Sequence, residues 1–186
     1  MSWPRRALPI TIIACAVIRS AAATDFGRPA SPDEIALWDI DVRPDGRGLP
    51  EGGGTVAKGK QLFAENCAAC HGDNGTGGIK DRLVGGQGSL ASDMPVKTVG
   101  SFWPYATTLF DYIRRAMPYQ APGSLSNDDT YAIVAYILNL NGIVPADTEL
   151  DKNALPKVKM PNRDGFLPEP EFSRPPKLGS TSRTTR

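Results

Sequence analysis

The sequence predicts an all-α fold, and three features of the 186-residue chain carry that prediction. Apolar residues recur at helical spacing in two segments, one after Thr55 and one from Ser101 to Met117. A third segment begins with a helix-capping sequence at Ser126 and is apolar over most of its length. Between the first two lies Cys67-Ala68-Ala69-Cys70-His71, which has the spacing of a covalent haem attachment site. We therefore expect helices packed around one covalently bound haem, with an extended N-terminal arm and a proline-rich C-terminal tail.

Composition divides the chain into four parts. Residues 1–23 have the pattern of a signal peptide, with Arg5 and Arg6 before a short apolar run and three alanines before a cleavage point at Thr24. Residues 24–54 lack sustained periodicity and are predicted to form an extended arm. The haem-binding domain is assigned to residues 55–145. Residues 146–186 contain six prolines and are predicted to form an extended, partly disordered tail.

The predicted signal peptide indicates export to the periplasm. Its apolar run is too short to span a membrane, so we expect no membrane anchor. Cys15 lies within this segment and leaves open an alternative, processing as a lipoprotein. Removing residues 1–23 takes away three arginines and no acidic residue, which changes the formal charge from +1 to −2. A weakly acidic chain of this kind is not a nucleic-acid-binding protein.

One short patch in the arm is more apolar than a free linker requires. It contains Ile35, Leu37, Trp38 and Ile40. These side chains are expected to pack either on the chain's own domain, which is the simpler interpretation, or on a partner.

The central motif predicts one haem c. On a single helical turn the thiols of Cys67 and Cys70 can each form a thioether with a haem vinyl group, and His71 is then held beneath the iron as the proximal ligand. A redox dithiol would be expected within a βαβ pattern, which the sequence lacks. A structural zinc site needs four Cys or His ligands, and the chain holds one His and three Cys, one of them Cys15.

The single histidine also restricts the sixth ligand of the iron. With His71 used, that ligand is either a methionine sulfur or absent, leaving an open site. Met94, Met117 and Met160 each precede a proline, so this local feature does not distinguish them. We favour Met117, because it ends a helix just before a linker that can fold over the haem face opposite His71. Ordinary core packing is the alternative interpretation of this side chain.

Three further side chains are candidates for the walls of the haem pocket. Leu83 lies in the glycine-rich region after the motif and is expected to cover the proximal side. Trp103 and Tyr105 begin the second helical segment, where they are either core aromatics or pocket walls whose polar tips reach a propionate. In the first segment Gly59 and Phe63 lie one turn apart, and a glycine at that position predicts a close crossing with the last helix.

Longer stretches of the sequence are similar to those of a known family. The first helix, the haem motif, the distal methionine and the capped last helix together resemble class I cytochrome c. Four runs resemble more closely the cytochrome subunit of sulfite and sulfane dehydrogenases, the SoxD type. They are WDIDVRPDG at 38–46, PVKTVGSFWPYATT at 95–108, FDYIRRAMP at 110–118 and PNRDGF at 161–166.

The resemblance implies a class I cytochrome c fold and a periplasmic monohaem cytochrome. Such a protein accepts single electrons from a molybdenum-cofactor subunit that oxidises sulfite or sulfane sulfur, and passes them to a downstream cytochrome. By position, the resemblance makes Cys67 and Cys70 the haem attachment residues and His71 and Met117 the axial ligands. It also implies that the arm and the tail contact the catalytic subunit.

One departure from the family pattern bears on the onward path of the electrons. Longer SoxD-type chains carry a second haem domain, whereas this sequence has no second Cys-x-x-Cys-His, so a separate carrier is expected. Two other function classes remain open, a free-standing electron carrier and a haem enzyme with an open sixth site. The enzyme is disfavoured because no catalytic carboxylate or histidine cluster accompanies the motif.

Overall fold

The computed structural model describes residues 27–168. The predicted signal peptide with Cys15, and the end of the tail, lie outside the described residues. Within them the regular secondary structure is mostly helical, as predicted. Its elements are α1 (Pro32–Trp38), β1 (Gly53–Thr55), α2 (Val56–Asn66), α3 (Ala68–His71), α4 (Ala106–Ala116), α5 (Asn127–Leu140), β2 (Glu149–Asp151) and a short 3₁₀ turn (Leu155–Lys157).

The helices α2 and α5 begin at the residues that the sequence indicates. The Thr55 hydroxyl accepts a hydrogen bond from the Lys58 amide at 3.3 Å, and the Ser126 hydroxyl accepts one from the Asp129 amide at 3.1 Å. Each bond satisfies an amide that the first turn of a helix leaves without an intrahelical partner. Helix α5 ends just before Gly142, which has φ +68°, a conformation that glycine adopts without strain.

The predicted close crossing of the first and last helices is confirmed. A Cβ atom built on Gly59 would lie 1.8 Å from the carbonyl oxygen of Ala132, so α2 and α5 touch backbone to backbone there. One turn further along, the rings of Phe63 and Tyr136 meet edge to face with centroids 5.4 Å apart. Helix α4 joins this pair through Phe110, which packs on Tyr131 at 4.4 Å. The three helices thereby form one buried core.

A two-stranded antiparallel sheet, which the sequence did not predict, joins the two ends of the domain. Gly53 pairs with Asp151 and Thr55 pairs with Glu149. Strands of three residues are too short for the alternation of apolar and polar residues to be recognised. The sheet fixes the end of the arm beside the start of the tail.

The arm contains a helix, so the expectation of a wholly extended segment over residues 24–54 is wrong in this part. Helix α1 has a complete capping box, in which Ser31 accepts from the Glu34 amide and Glu34 accepts from the Ser31 amide. A helix of seven residues is too short to be recognised from the spacing of its apolar residues. None of its residues is buried, and Ile35, Leu37 and Trp38 are 53%, 75% and 86% exposed. The simpler expectation, that these three side chains pack on their own domain, is therefore wrong.

After α1 the arm follows helix α4. The amide of Val42 donates to a buried carboxylate oxygen of Asp111 at 3.0 Å. The Arg114 guanidinium donates to the carbonyl oxygen of Ile40 at 3.3 Å. Because Asp111 also pairs with Arg115, one turn of α4 holds the arm in place.

The tail contacts the loop before α4 through Asn162 and Phe166. The Asn162 side chain donates to the carbonyl oxygen of Phe102 at 2.7 Å, and the rings of Phe102 and Phe166 are 5.1 Å apart. The tail therefore supports the loop that precedes α4.

Between residues 27 and 168, no helix has both the length and the apolar character needed to cross a bilayer.

Candidate haem site

A cavity of about 790 Å³ lies between the haem motif, α4 and α5. This volume is within the range of about 300–1,000 Å³ that is common for ligand and cofactor pockets. Its walls include apolar side chains of α4 and α5 on one side and the motif on the other: Leu109, Ile113, Ile133, Ile137, Cys67, Cys70 and His71. The cavity therefore presents the attachment residues and an apolar surface to the same space, as a covalently bound haem requires.

The two cysteines flank the short helix α3. Cys67 ends α2 and begins α3, and Cys70 lies on the last turn before Gly72, so both side chains reach the cavity. Burial, with a smaller contribution from Cys70, raises the pKa of the Cys67 thiol to about 11. Reactive dithiols have lowered thiol pKa values, because the thiolate is their nucleophile. The environment of Cys67 therefore does not favour the thiolate that a redox dithiol needs.

His71 is held in one tautomer by the backbone. Its Nδ1 atom lies 2.8 Å from the carbonyl oxygen of Asp81. A carbonyl oxygen can only accept, so Nδ1 carries the proton and Nε2 keeps the lone pair that binds a metal. Orientation of a ligating histidine through its second nitrogen is the usual arrangement at metal sites. This donor arrangement fits an axial ligand of haem iron.

The Asp81 carbonyl is brought to His71 by a loop that folds back on α3. The Lys80 amide donates to the carbonyl oxygen of Cys70 at 2.9 Å, and the Gly77 amide donates to that of His71 at 2.9 Å. Sequence reasoning did not find Asp81 as the partner of His71. The acceptor is a backbone atom, which leaves no signal in residue identity.

Met117 is placed at the same cavity as His71. It follows the last turn of α4 in an extended conformation, with φ −126° and ψ 146°, as expected for a residue before proline. Its side chain lines the cavity, together with Pro118 and Tyr119. Met94 is 83% exposed and Met160 is buried in the core, and neither lines the cavity. The structure therefore brings the favoured methionine to the cavity and leaves the other two away from it.

Two of the three predicted wall residues line the cavity. Leu83 is one, and Trp103 is the other, packed edge to face on Tyr112 at 5.8 Å. Tyr105 is not among the lining residues; its ring lies 4.6 Å from the Arg163 guanidinium of the tail. The interpretation of Tyr105 as a wall of the haem pocket therefore lacks support from its placement.

Sequence reasoning missed several other lining residues, some apolar and some basic. The apolar residues on α4 and α5 were detectable as helical faces but not as cavity walls, because periodicity does not tell which buried face meets a cofactor. Lys80, Arg82 and Lys97 also line the cavity and provide positive charge suited to haem propionates.

Within residues 27–168, no group of three or more His, Cys, Asp or Glu side chains is arranged to hold a metal ion.

The residues that line the cavity lie within a match to a known family. The family model for cytochrome c matches residues 56–141, from α2 to the residue after α5. A chain in the crystal structure of the sulfane dehydrogenase SoxCD from Paracoccus pantotrophus is 44% identical, with a TM-score of 0.74. That match covers 88% of this chain and 84% of the solved chain, so it extends well beyond the haem domain into the flanking segments.

Two thiosulfate dehydrogenases are also similar. The protein from Stutzerimonas stutzeri is 33% identical over 114 residues, which are 60% of this chain and 35% of that protein. The protein from Psychrobacter arcticus is 30% identical over 114 residues, which are 59% of this chain and 35% of that protein. The chain thus spans about a third of the length of the thiosulfate dehydrogenases that it matches.

Proposed function

This chain belongs to the cytochrome c family, and from that membership we propose that it is the electron-transfer subunit of a periplasmic sulfur-compound dehydrogenase. It accepts single electrons from a molybdenum-cofactor subunit that oxidises sulfite or sulfane sulfur, and passes them to a downstream cytochrome. The observation that carries the proposal is the similarity to a chain of SoxCD, which covers 88% of this chain and therefore includes parts of the arm or the tail.

In the proposed role the chain holds one haem c in the cavity. The group supplies one-electron redox chemistry when bound. Cys67 and Cys70 would attach it covalently, and His71, oriented by the Asp81 carbonyl, and Met117 would ligate its iron. The apolar residues of α4 and α5 keep water away from the site.

The composition of the cavity favours electron transfer over catalysis. Of its lining residues, Asp81 is the acidic one, and it is exposed. The His71 Nδ1 proton is already donated to a backbone carbonyl. The lining therefore offers neither a buried carboxylate nor a second histidine as a general acid or base.

Helix α1 is proposed as a contact with the catalytic subunit. Isolated helices shorter than about 12–15 residues are only marginally stable in water, and α1 has seven residues with none buried. Its exposed Ile35, Leu37 and Trp38 form an apolar surface of the kind found at protein interfaces. The hydrogen bond from Val42 to Asp111, a few residues further on, keeps this surface attached to the haem domain.

The experiment that tests the proposal is affinity purification of the mature, haem-loaded protein from its own periplasm. We expect a molybdenum enzyme to co-purify with a low-spin haem. Trp38→Ser should lower recovery of the enzyme by about tenfold or more, because exposed aromatic anchors dominate many interfaces. Met94→Ser is the matched control, since Met94 is also more than four-fifths exposed but lies outside α1, and it should leave recovery unchanged.

Two outcomes would replace the proposal. Failure to recover any molybdenum enzyme would favour a free-standing electron carrier. Equal losses with Trp38→Ser and Met94→Ser would remove the role given to α1.

The similarity to two thiosulfate dehydrogenases favours a second candidate, a haem enzyme with an open sixth site. The isolated protein would then oxidise thiosulfate with an artificial electron acceptor, and its reduced haem would bind carbon monoxide readily. We expect neither result, because Met117 lies at the cavity in a position to occupy the sixth site. Turnover by the isolated chain would establish the enzyme instead.

A further inference from the structure

Asn141, just after helix α5, joins that helix to the loop that carries the proximal hydrogen bond. Its side chain is buried and has three backbone partners. The Oδ1 atom accepts from the Gly85 amide at 3.1 Å, and Nδ2 donates to the carbonyl oxygens of Leu83 at 3.2 Å and Ile137 at 2.9 Å. Both ends of the carboxamide are therefore used to hold residues 83–85 against α5.

The same three-residue stretch is held from the other side by the loop after the haem motif. The amides of Leu83 and Val84 both donate to the carbonyl oxygen of Gly75, at 2.7 and 3.1 Å. A single residue, Arg82, separates Leu83 from Asp81, whose carbonyl oxygen accepts the His71 Nδ1 proton. The position of that carbonyl therefore depends on where residues 83–85 are fixed.

The surroundings of Asn141 leave its carboxamide little freedom. The Gln87 side chain donates to the Asn141 carbonyl oxygen at 3.1 Å. Gly100 faces the carboxamide so closely that a Cβ atom there would lie 2.1 Å from Asn141 Oδ1. A buried amide with donor and acceptor both satisfied, and with a glycine opposite, has the properties of a rigid support.

We propose that Asn141 is a positioning residue for the proximal ligand. Through Leu83 and Gly85 it keeps the Asp81 carbonyl in hydrogen-bond contact with His71, and this contact tunes the electron donation of the imidazole to the iron. Asn141 thereby influences the reduction potential, although it does not line the cavity. The inference rests on the proposed haem ligation by His71.

The test measures hydrogen exchange at His71 Nδ1 in the reduced, haem-loaded protein by NMR, together with the reduction potential. Asn141→Leu removes the side-chain hydrogen bonds at similar volume. We expect exchange of the Nδ1 proton to become about tenfold faster. The loop loses at least the net free energy of one hydrogen bond, so it opens more often. The reduction potential should rise, because a less basic imidazole stabilises the ferric state less.

Asn139→Leu is the matched control. Asn139 lies on the same end of α5, and its Nδ2 atom donates to the Val144 carbonyl oxygen at 2.9 Å, away from the proximal loop. We expect this variant to lose some stability towards urea, because it too loses a side-chain hydrogen bond, while exchange at His71 Nδ1 and the potential stay unchanged. Equal effects of the two variants on exchange and on the potential would overturn the inference.

A second variant covers the case in which Asn141→Leu does not fold. Gly100→Ala leaves Asn141 in place but pushes against its carboxamide, and it should also raise the exchange rate and the potential. An unchanged exchange rate at His71 Nδ1 together with an unchanged reduction potential in Gly100→Ala would overturn the inference. A different result would contradict the proposed function: the unaltered protein would show no low-spin haem c spectrum.

Discussion

Gly59 of α2 lies against the backbone of Ala132 of α5, where a Cβ atom on Gly59 would come within 1.8 Å of the Ala132 carbonyl oxygen and within 2.8 Å of the Tyr136 Cβ atom. The nearest obstacle is backbone within a buried helix, which cannot move as the tip of a flexible side chain can. Any side chain at this position must separate the two helices that form one side of the core.

Gly59→Ala should therefore destabilise the haem-loaded protein by about 3 kcal/mol, at the upper end of typical overpacking costs. The gain in helix propensity of up to about 1 kcal/mol is too small to offset this. Urea unfolding followed by circular dichroism measures the effect. Gly53→Ala is the control, because a Cβ atom there meets its nearest neighbour at 3.4 Å, and a loss as large as that of Gly59→Ala would contradict the steric explanation.

Met117→Ala should convert the haem from a low-spin to a high-spin or water-ligated state. The sulfur-to-iron charge-transfer absorption should disappear, and the reduction potential should fall, because methionine ligation raises it. Optical spectroscopy and redox titration check both results. Met94→Ala should leave the spectrum unchanged, since Met94 is exposed and outside the cavity. Retention of the absorption in Met117→Ala would assign the sixth ligand elsewhere.

Asp111→Ala should release the arm from α4. The substitution removes the acceptor of the Val42 amide and the partner of Arg115, at a cost of about 1–3 kcal/mol for the buried donor left without an acceptor. We expect hydrogen exchange at the Val42 amide to become at least tenfold faster while the haem spectrum is kept. Asp45→Ala, at an exposed carboxylate paired with Arg47, should not change this exchange rate.

Stability at alkaline pH should depend on Tyr131. Burial is the main cause that raises its pKa to about 12, and its hydroxyl donates to the Pro50 carbonyl oxygen at 2.9 Å. A tyrosine in the unfolded chain ionises near its ordinary pKa of 10. The contribution of Tyr131 to the free energy of unfolding is therefore fully present below pH 10 and is lost as the pH rises towards 12. Measured by urea unfolding, Tyr131→Phe should lose less unfolding free energy between about pH 10 and pH 12 than the unaltered protein does. An unchanged pH dependence would argue against this tyrosine as the source.

The parts of the fold that sequence reasoning anticipated have strong local signals. The hydroxyls of Thr55 and Ser126 mark helix starts, and Gly59 marks a close crossing, because each has a direct consequence for backbone hydrogen bonding or packing. The haem motif was recognisable because covalent attachment fixes both the spacing and the residue types.

The parts that were missed depend on contacts distant in sequence or on backbone atoms. The pairing of β1 with β2 joins segments almost a hundred residues apart. Tyr105 was interpreted as either a core aromatic or a wall of the haem pocket, and its contact with Arg163 of the tail was not foreseeable from local pattern. Helix α1 did carry a signal, Ser31 followed three residues later by Glu34, which reasoning from periodicity alone overlooked.

The acceptor that orients His71 belongs to the main chain, and this has a consequence for how the protein can change. Any amino acid at position 81 supplies the same carbonyl oxygen, so mutation of Asp81 itself cannot delete the hydrogen bond. Variation at that codon is free to alter the charge near the cavity without disturbing the ligand. A sequence change that alters this hydrogen bond must instead act through the conformation of the loop, so part of the control over the proximal histidine lies with residues such as Asn141 that are outside the cavity.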